Sequence, residues 1–486
     1  MASTLPDPSP DARTTSAEES APVSRASGGV ESHGIDHIPD SERRGRPREL
    51  FSVWAAANVN YLSLVVGGAL VLTGLSLWQA LAVVVVGNLF WLLTGLLAVP
   101  GPAAGAPSEV ITRTLYGVRG NRVNNAVTGW LISVCYFALN LAAAATAAFS
   151  LVGDTGLPVN TAVKTLVVVL IAALTLAISV WGHAAIVRLY LPITLVLAAV
   201  FAVLAVVVLR HTDFGYVPAR PLTGTALWAT VLAGTALIAS GPLSYTTSAD
   251  FSRYLPRATP ARAVAGWTAF GGFLPSVLVC GLGACAATAV DMNDPESSLQ
   301  PLLPAWFRPL FLLALVLGTI ALNALTAYSA GLALQAVGLR IRRQVSVLVD
   351  GTVSVSLTLY ALLVSNFLDT VGDVLQLTVV LLGPSTAVYA VDIVLRRNRY
   401  DGPALADETP AGPFWFTAGV NWRGALALCL GVAASALGVD TVYTGPLAAA
   451  LGGVDVALPA GLVVSAVAYA LLARPDARSG RRPEHP

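Results

Sequence analysis

Apolar runs of about 20 residues, separated by short polar segments, follow one another along the chain from Phe51 to Arg474. A helix needs about 20 apolar residues to cross the hydrocarbon core of a bilayer. The pattern therefore predicts twelve transmembrane helices with no strands. We place them at residues 51–73, 77–99, 126–150, 162–181, 187–209, 226–248, 264–289, 309–338, 345–366, 371–395, 424–439 and 456–473.

Polar segments flank this transmembrane domain, which covers residues 50–474. Residues 1–49 are rich in Pro, Ser, Asp, Glu and Arg, which predicts a disordered N-terminal tail. The tail has no early hydrophobic core of the signal-peptide kind, so the first apolar segment is expected to be an uncleaved anchor. Residues 475–486 form a second polar tail.

The composition agrees with a bilayer as the solvent of this chain. Hydrophobic residues make up 55% of it and charged residues 11%, and the mean hydropathy is +0.71. Such a chain cannot cover itself with polar surface, which indicates an integral membrane protein. The charges lie in short clusters rather than in a basic stripe, which argues against nucleic-acid binding. The four cysteines lie inside apolar runs, where packing is favoured over disulfides or metal ligation.

The distribution of basic residues tests the number of spans and their orientation. With both termini in the cytoplasm, the inner segments hold 22 Lys and Arg residues and the outer segments hold four. This asymmetry follows the positive-inside rule. We therefore expect a multi-pass protein of the cytoplasmic (inner) membrane with both tails inside.

Polar residues and helix breakers interrupt two of the predicted spans. The first span carries Asn58 and Asn60 near mid-depth, and in the sixth span Ser240, Gly241 and Pro242 follow an apolar run. Backbone that leaves a helix inside a bilayer is tolerated where it lines a cavity. Interrupted helices at corresponding positions of two repeats point to a transporter site. The alternative is a simple kink at Gly-Pro and interhelical hydrogen bonds by the asparagines.

We predict that Ser240-Gly241-Pro242 is the break of the sixth helix itself. Gly241 permits close approach and Pro242 removes a backbone donor. Asp250 and Arg253 follow, three positions apart, and serve either to cap the inner end or in gating.

The third span contains CYFALN, in which Tyr136 and Asn140 are four residues apart and project from one helix face. An aromatic ring can stack on a planar ligand, and a carboxamide offers a donor beside an acceptor. Together these groups suit a nucleobase. Ordinary helix packing of both side chains is the alternative.

Several further motifs carry a resemblance to a known family. FSVWAAANVNYLSLVVGG and YGVRGN occur in the first part of the chain, TSADFSRYLP and LNALTAYSAGL in the middle, and GPSTAVYAVDIVLRRNRY with GVNWRGALA towards the end. In their order and spacing these segments resemble the first nucleobase:cation symporter family, the permeases for cytosine, purines, uracil, hydantoins, thiamine and allantoin. The likeness runs from about Phe51 to about Arg474.

The resemblance implies an all-α, five-plus-five inverted-repeat core of the LeuT-like type. The repeats would be residues 51–209 and 226–395, followed by two extra helices in 424–473. It implies alternating access around a midplane site. It also implies that Asn60 of the first helix and Tyr136 and Asn140 of the third contact the substrate. Our own candidates for further substrate contacts are Asn58, Ser240, Gly241, Pro242 and Asn323.

The chain departs from the family pattern at a stacking position. Relatives often place a second aromatic residue in the sixth helix, where this chain has Gly241. Phe137, Tyr245 or Trp228 is then the candidate to close the stack, unless no second ring is present. The smaller wall favours a bulkier base, a purine.

A second departure concerns the coupling ion. Sodium-coupled relatives hold Na⁺ between carbonyls that match Ala56 and Val59 and two hydroxyls of the eighth helix. Ala321 and Leu322 occupy those hydroxyl positions here, and Thr319 restores one ligand only if the register shifts. Hard cations need several oxygen ligands, so H⁺ coupling is favoured over Na⁺. The candidate proton or gating carboxylates are Asp250 and Asp392.

The sequence thus predicts a secondary transporter, not an enzyme, that imports a nucleobase, with a purine or cytosine favoured. Its expected partners are the heterocycle, a coupling cation and the lipid bilayer, with no cofactor. Allantoin, hydantoin, thiamine or an amino acid as substrate, facilitated diffusion, and a non-transporting receptor remain the alternatives. The sequence leaves the oligomeric state open.

Overall fold

The computed structural model describes residues 30–31, 33–292, 298–363, 367–441 and 443–478. The predicted behaviour of residues 1–29 and 479–486 concerns segments outside this range.

Helices dominate the described part of the chain. Its first half contains α1 (Glu49–Asn58), α2 (Tyr61–Leu72), α3 (Leu77–Asn88), α4 (Trp91–Ala98), α5 (Pro100–Ala104), α6 (Ser108–Ile111), α7 (Arg113–Asn124), α8 (Ile132–Asp154), α9 (Thr161–Trp181) and α10 (His183–His211). The second half contains α11 (Gly224–Leu243), α12 (Ala249–Ser252), α13 (Ala261–Ala286), α14 (Arg308–Ala336), α15 (Arg343–Leu363), α16 (Phe367–Arg396), α17 (Gly402–Ala406), α18 (Trp422–Gly438), α19 (Pro446–Ala450) and α20 (Ala457–Arg478). A π-helical turn, Asn125–Leu131, joins α7 to α8.

The apolar helices fall at all twelve predicted positions. Within the described residues, nine helical stretches are long and apolar enough to cross a membrane, and the bent pair α1 and α2 makes a tenth. Two shorter apolar helices, Trp422–Gly438 and Ala457–Ala473, match the last two predicted spans. The all-helical polytopic architecture is thereby confirmed.

The first span is broken where the sequence predicts it. The axes of α1 and α2 meet at 59°, and Val59 and Asn60 between them have non-helical backbone angles. The Asn60 side chain caps α2, because its Oδ1 accepts a hydrogen bond from the Ser63 amide at 3.0 Å. Its Nδ2 donates to the Ala57 carbonyl at 2.8 Å, which ties the cap back to α1.

The break in the sixth span lies beyond the predicted position. Helix α11 continues through Ser240, Gly241 and Pro242 to Leu243, and the Ser244 amide donates to the Ser240 carbonyl at 3.0 Å. The prediction that these three residues form the break is therefore wrong. Pro242 lacks an amide donor and its ring crowds the carbonyl four residues before it, but the helix accommodates it in the last turn and ends at Leu243. The non-helical segment is 244–248, ahead of α12.

Residues 30–31 and 33–48 differ from the disorder expected of the N-terminal tail, because they pack across one end of the bundle. This end, which we call the arginine-rich face, carries Arg43, Arg113, Arg253, Arg343 and Arg396. Arg43 donates to the carbonyls of Ile38 and Pro102. Arg43 is buried. Contacts with the rest of the fold therefore order this N-terminal segment, and composition does not reveal such contacts.

The carboxylate of Glu31 is the main contact of this segment with the helices. It accepts hydrogen bonds from Arg253 at 3.0 Å, the Tyr254 hydroxyl at 2.6 Å and the Tyr328 hydroxyl at 3.0 Å. Its second oxygen accepts from the His183 amide at 2.8 Å. One carboxylate thus links three elements: the start of α10, the segment after α12, and α14.

The charge on Glu31 is expected to stabilise this packing. Burial alone would raise its pKa, but the charges of Arg343 and Arg253 and the hydrogen bonds it accepts outweigh burial and lower the pKa of Glu31 to about 2. Because this value lies below the ordinary 4.5, the contribution is present above pH 4.5 and is lost as the pH falls towards 2. A shift of this size corresponds to about 3 kcal/mol.

We therefore expect Glu31→Gln to lower the thermal unfolding temperature of the detergent-purified protein at pH 7. The difference from the wild type should shrink as the pH falls below 4.5. Glu42→Gln is the matched control, because Glu42 lies in the same segment with a side chain that is 47% exposed. A constant difference at every pH would show that the Glu31 charge does not stabilise the segment.

Candidate functional site

A cavity lies between the two broken spans, walled by α1 to α3, α8, α11, α13 and α14. Fourteen of its lining residues are polar but uncharged: Asn58, Asn60, Ser63, Asn88, Ser133, Tyr136, Asn140, Ser240, Ser244, Tyr245, Thr247, Ser276, Thr326 and Ser329. The remaining wall is apolar and includes Val66, Leu237 and Leu325. Among the described residues, no Asp, Glu, Lys or Arg lines this cavity. Its chemistry suits a neutral, polar and partly apolar ligand.

The structure brings most of the predicted site residues together around this cavity. Seven of the eight candidate substrate contacts line it: Asn58, Asn60, Tyr136, Asn140, Ser240, Gly241 and Pro242. The eighth, Asn323, is 1% exposed and lies behind the wall.

Tyr136 is fixed to two neighbouring helices through its hydroxyl. The hydroxyl donates to the Ser240 carbonyl of α11 at 3.3 Å and shares a hydrogen bond of 3.1 Å with the Thr378 hydroxyl of α16. These bonds hold the ring in place against the cavity. Thr378 was missed at the sequence level because its span carries no pattern that reveals which face points inward.

Asn140, which lines the cavity, has a side-chain acceptor without a partner. Asn323 Nδ2 donates to the Phe137 carbonyl at 3.0 Å, so the Asn323 Oδ1 faces Asn140 and accepts from Asn140 Nδ2 at 3.1 Å. This chain of bonds sets the orientation of the Asn140 amide. Its Oδ1 is buried and has no hydrogen-bond partner among the described residues. A buried acceptor without a partner costs about 1–3 kcal/mol, so a ligand donor at this point would be stabilised.

The two asparagines of the first span use much of their hydrogen-bonding capacity within the protein. Asn58 Nδ2 donates to the Trp54 carbonyl at 2.8 Å, and its Oδ1 accepts from the Ser276 hydroxyl at 2.9 Å. Asn60 caps α2, as described above. Both side chains therefore shape the break as well as the cavity wall.

Of the three residues considered for the second aromatic wall, Tyr245 lines the cavity. Its ring packs against Trp54 and Trp91, with centroid distances of 4.7 and 5.6 Å. Phe137 is fully buried in the core on the far side of α8. Trp228 is 64% exposed on the outer surface.

Beside Gly241 the cavity is open. A Cβ atom built on Gly241 meets no atom within 4 Å beyond its chain neighbours and the backbone of its own helix. The close approach expected at this glycine is therefore absent, and its missing side chain contributes space instead.

The region that matches the sodium site of relatives is apolar. Ala56 and Ala321 are fully buried, and the Thr319 hydroxyl donates to the Leu315 carbonyl of its own helix at 3.0 Å. The Tyr190 hydroxyl of α10 donates to the Ala321 carbonyl at 2.6 Å. A tyrosine hydroxyl thus satisfies a backbone oxygen at the position where relatives place hydroxyl ligands.

The two candidate carboxylates have different surroundings. Asp392 accepts hydrogen bonds from Tyr400 at 2.9 Å and Tyr469 at 2.7 Å and forms an ion pair with Arg396 at 2.9 Å. These partners use the hydrogen-bonding capacity of the Asp392 carboxylate, and the bond to Tyr469 joins α16 to α20. Asp250 instead accepts from the Ser329 hydroxyl at 2.7 Å, and Ser329 lines the cavity. Asp250 is therefore the candidate that bonds directly to a residue of the cavity wall.

Arg253 does not form its ion pair with Asp250. Its guanidinium pairs with Glu31 at 3.0 Å and donates to the Gly34 carbonyl and the Tyr328 hydroxyl. This arrangement leaves the Asp250 carboxylate to other partners.

Comparisons with known proteins agree with this architecture. A family model described as "Permease for cytosine/purines, uracil, thiamine, allantoin" matches residues 37–461. The "Putative purine-cytosine permease YxlA" of Bacillus subtilis is 27% identical over 458 residues, which cover 92% of this chain and 96% of that protein. Mhp1, a nucleobase-cation-symport-1 family transporter solved in a closed conformation with bromovinylhydantoin bound, gives a TM-score of 0.74 at 17% identity, covering 92% of this chain and 96% of that one. A Na⁺-coupled sialic acid symporter gives 0.59 at 10% identity over 90% of each chain. At such identities the two solved structures show a shared fold.

Proposed function

This chain belongs to the family of permeases for cytosine and purines, uracil, thiamine and allantoin, and we propose that it imports a neutral purine base by H⁺ symport. It is a membrane transporter and not an enzyme. Substrate would bind in the cavity between the broken first span and the end of α11, and alternating access would expose this cavity to each side in turn. The arginine-rich face would lie in the cytoplasm, as the positive-inside rule predicts.

The observation that carries this proposal is the pairing of Tyr136 with the free acceptor of Asn140. The two side chains are one helical turn apart on the cavity face of α8. The ring offers a surface for stacking, and Asn140 Oδ1 offers an acceptor for a ring or exocyclic N–H group. The second hydrogen of its Nδ2 offers a donor beside it. A planar heterocycle with adjacent donor and acceptor atoms satisfies all three.

The uncharged wall separates this proposal from its alternatives. A thiamine-like cation or the ammonium group of an amino acid would call for a carboxylate at the site, and the described lining contains none. Among neutral heterocycles, the open space beside Gly241 favours a two-ring purine over a one-ring pyrimidine, hydantoin or allantoin. The name of the Bacillus subtilis relative, a putative purine-cytosine permease, supports a nucleobase as the substrate class.

The surroundings of α14 favour H⁺ over Na⁺ as the coupling ion. Sodium needs several oxygen ligands. At the positions matched to hydroxyl ligands this chain has Ala321 and Leu322, and the Thr319 hydroxyl is engaged with Leu315. The Tyr190 hydroxyl further engages the Ala321 carbonyl.

Filling the space beside Gly241 is expected to discriminate among bases. Gly241→Leu should weaken purine binding by about tenfold or more, because its side chain would occupy the space assigned to the second ring. Cytosine binding should change by less than about threefold. Competition binding to the purified protein measures both. Equal losses for purine and pyrimidine would contradict the placement of the second ring at Gly241.

A binding panel tests the substrate class directly. Adenine, hypoxanthine, cytosine, uracil, allantoin, thiamine and a neutral amino acid would each be titrated into the purified protein. We expect saturable binding of a purine and weaker or absent binding of thiamine and the amino acid. Preferential binding of thiamine would overturn the proposal, since the uncharged wall could not account for it.

A further inference from the structure

A second acid, Glu109, lies next to Asp250 at the arginine-rich face, and the sequence did not single it out. It belongs to the short helix α6, outside the membrane-spanning stretches, and its side chain is buried with 1% of the residue exposed. Neither of its carboxyl oxygens has a hydrogen-bond donor within the described part of the chain. An ionised carboxylate in such a place would be strongly destabilised, so burial favours the protonated form of Glu109.

Asp250, at the start of α12, is the natural acceptor for that proton. Its Oδ1 accepts from the Ser108 amide at 2.8 Å, and its Oδ2 accepts from the Ser329 hydroxyl at 2.7 Å. Two carboxylates can hydrogen-bond to each other only when one of them holds a proton. A proton on Glu109 therefore reduces the repulsion between these two neighbouring acids.

The surroundings favour proton binding by this pair. Burial, followed by repulsion from Asp250, raises the pKa of Glu109 well above its ordinary value. Burial also raises the pKa of Asp250, although the hydrogen bonds it accepts oppose that shift. Because two interacting acids titrate together, the proton equilibrium belongs to the pair.

Few other charged or titratable groups face the pair. Just after α12, Arg253 acts on both acids and favours their ionised forms, but its charge is balanced by Glu31. From α16, the buried hydroxyl of Tyr389 is close enough to both acids and to Asp392 to feel their charges. Helices α4, α5 and α17, which also pack here, contain no charged residues. From α7, Arg113 and Arg122 are paired with Glu408, while Arg119 lies over the Trp415 ring.

We propose that Glu109 and Asp250 form the proton-binding site of symport, and that Ser329 transmits its protonation state to the substrate cavity. This inference rests on the proposed nucleobase transport. It assigns a chemical role to an acid outside the cavity and a signalling role to a hydroxyl on the cavity wall.

The transmission follows from the direction of one hydrogen bond. While Asp250 is ionised, the Ser329 hydroxyl donates to it and its hydrogen points away from the cavity. When a second proton binds the Asp250 Oδ2, this oxygen becomes the donor and the Ser329 oxygen the acceptor. The Ser329 hydrogen is then free to turn towards the cavity, where it can donate to a nucleobase acceptor. Proton binding therefore strengthens substrate binding, and by linkage substrate binding strengthens proton binding.

The double variant Glu109→Gln, Asp250→Asn tests this mechanism, because it keeps the shape of both side chains and removes both protons from titration. In proteoliposomes with a one-unit inward pH gradient, one proton per substrate supports at most about tenfold accumulation of base. We expect the wild type to approach that ratio. The double variant should reach only equal concentrations of nucleobase inside and outside the vesicles. Exchange of labelled for unlabelled base, which needs no net proton movement, should remain above the protein-free background.

Asp350 provides a matched control. It is a fully buried acid of α15 whose two oxygens also lack partners among the described residues, and it is not among the residues that line the cavity. Asp350→Asn should therefore retain accumulation. Loss of accumulation in Asp350→Asn with retention in the double variant would overturn the proposal and place the proton at Asp350.

A direct measurement keeps the test valid if the double variant does not fold. Addition of the nucleobase to the weakly buffered wild-type protein should cause uptake of protons from solution. Asp250→Asn should abolish that proton uptake, while nucleobase binding persists. Proton uptake equal to that of the wild type would overturn the proposal. If the wild type shows neither base binding nor exchange, the proposed function fails instead, which is a distinguishable result.

Discussion

Asn140→Ala is expected to reduce nucleobase binding by about 100-fold. The variant removes both the free Oδ1 acceptor and the Nδ2 donor from the cavity wall. A bound base would then bury polar groups without partners, which costs about 1–3 kcal/mol for each group. A total near 3 kcal/mol corresponds to about 100-fold in affinity. Competition binding and initial uptake rates should fall together.

Two controls separate recognition from structural damage at this position. Asn140 also bonds to Asn323, so the thermal stability of Asn140→Ala must be compared with that of the wild type. Asn323→Ala removes the same interhelical bond from behind the wall and should reduce affinity much less than Asn140→Ala. Equal losses in the two variants would mean that the bond between the helices, and not the amide facing the cavity, determines binding.

Tyr136→Ala is expected to weaken base binding by about 10- to 100-fold. Stacking of a base on an aromatic side chain contributes about 1–3 kcal/mol. The substitution also removes the bonds to the Ser240 carbonyl and the Thr378 hydroxyl that hold the ring.

Tyr136→Phe isolates the contribution of the ring. It keeps the stacking surface and removes only the hydroxyl bonds, so its affinity should stay within about tenfold of the wild type. A larger loss in Tyr136→Phe than in Tyr136→Ala would contradict stacking as the role of this side chain.

The sequence predicted those features of the site that depend on local geometry. Tyr136 and Asn140 share a helix face because four residues make about one helical turn, whatever surrounds the helix. The break in the first span was likewise visible, because Asn60 is a residue that commonly caps helices. The twelve apolar runs indicated the fold because bilayer thickness fixes span length.

Features that depend on tertiary contacts were not visible in the sequence. The position of Pro242 in its helix decides whether it ends or bends that helix, and the sequence did not reveal that position. Glu109 follows a Pro- and Gly-rich turn, where an acid is usually solvated. Its burial results from the packing of α6 against α14 and α17. Residues 30–48 have a composition typical of disorder, yet Glu31 finds Arg253 and Tyr254 more than 200 positions away.

Uptake of radiolabelled adenine and hypoxanthine into proteoliposomes, with a pH gradient or a Na⁺ gradient imposed separately, tests the central claim most directly. We predict accumulation of a purine under the pH gradient alone, no stimulation by Na⁺, and loss of accumulation in Asn140→Ala. Accumulation that requires Na⁺ would contradict the account of α14 and of the carboxyl pair. Folded protein that moves no purine under either gradient would contradict the claim of purine transport itself.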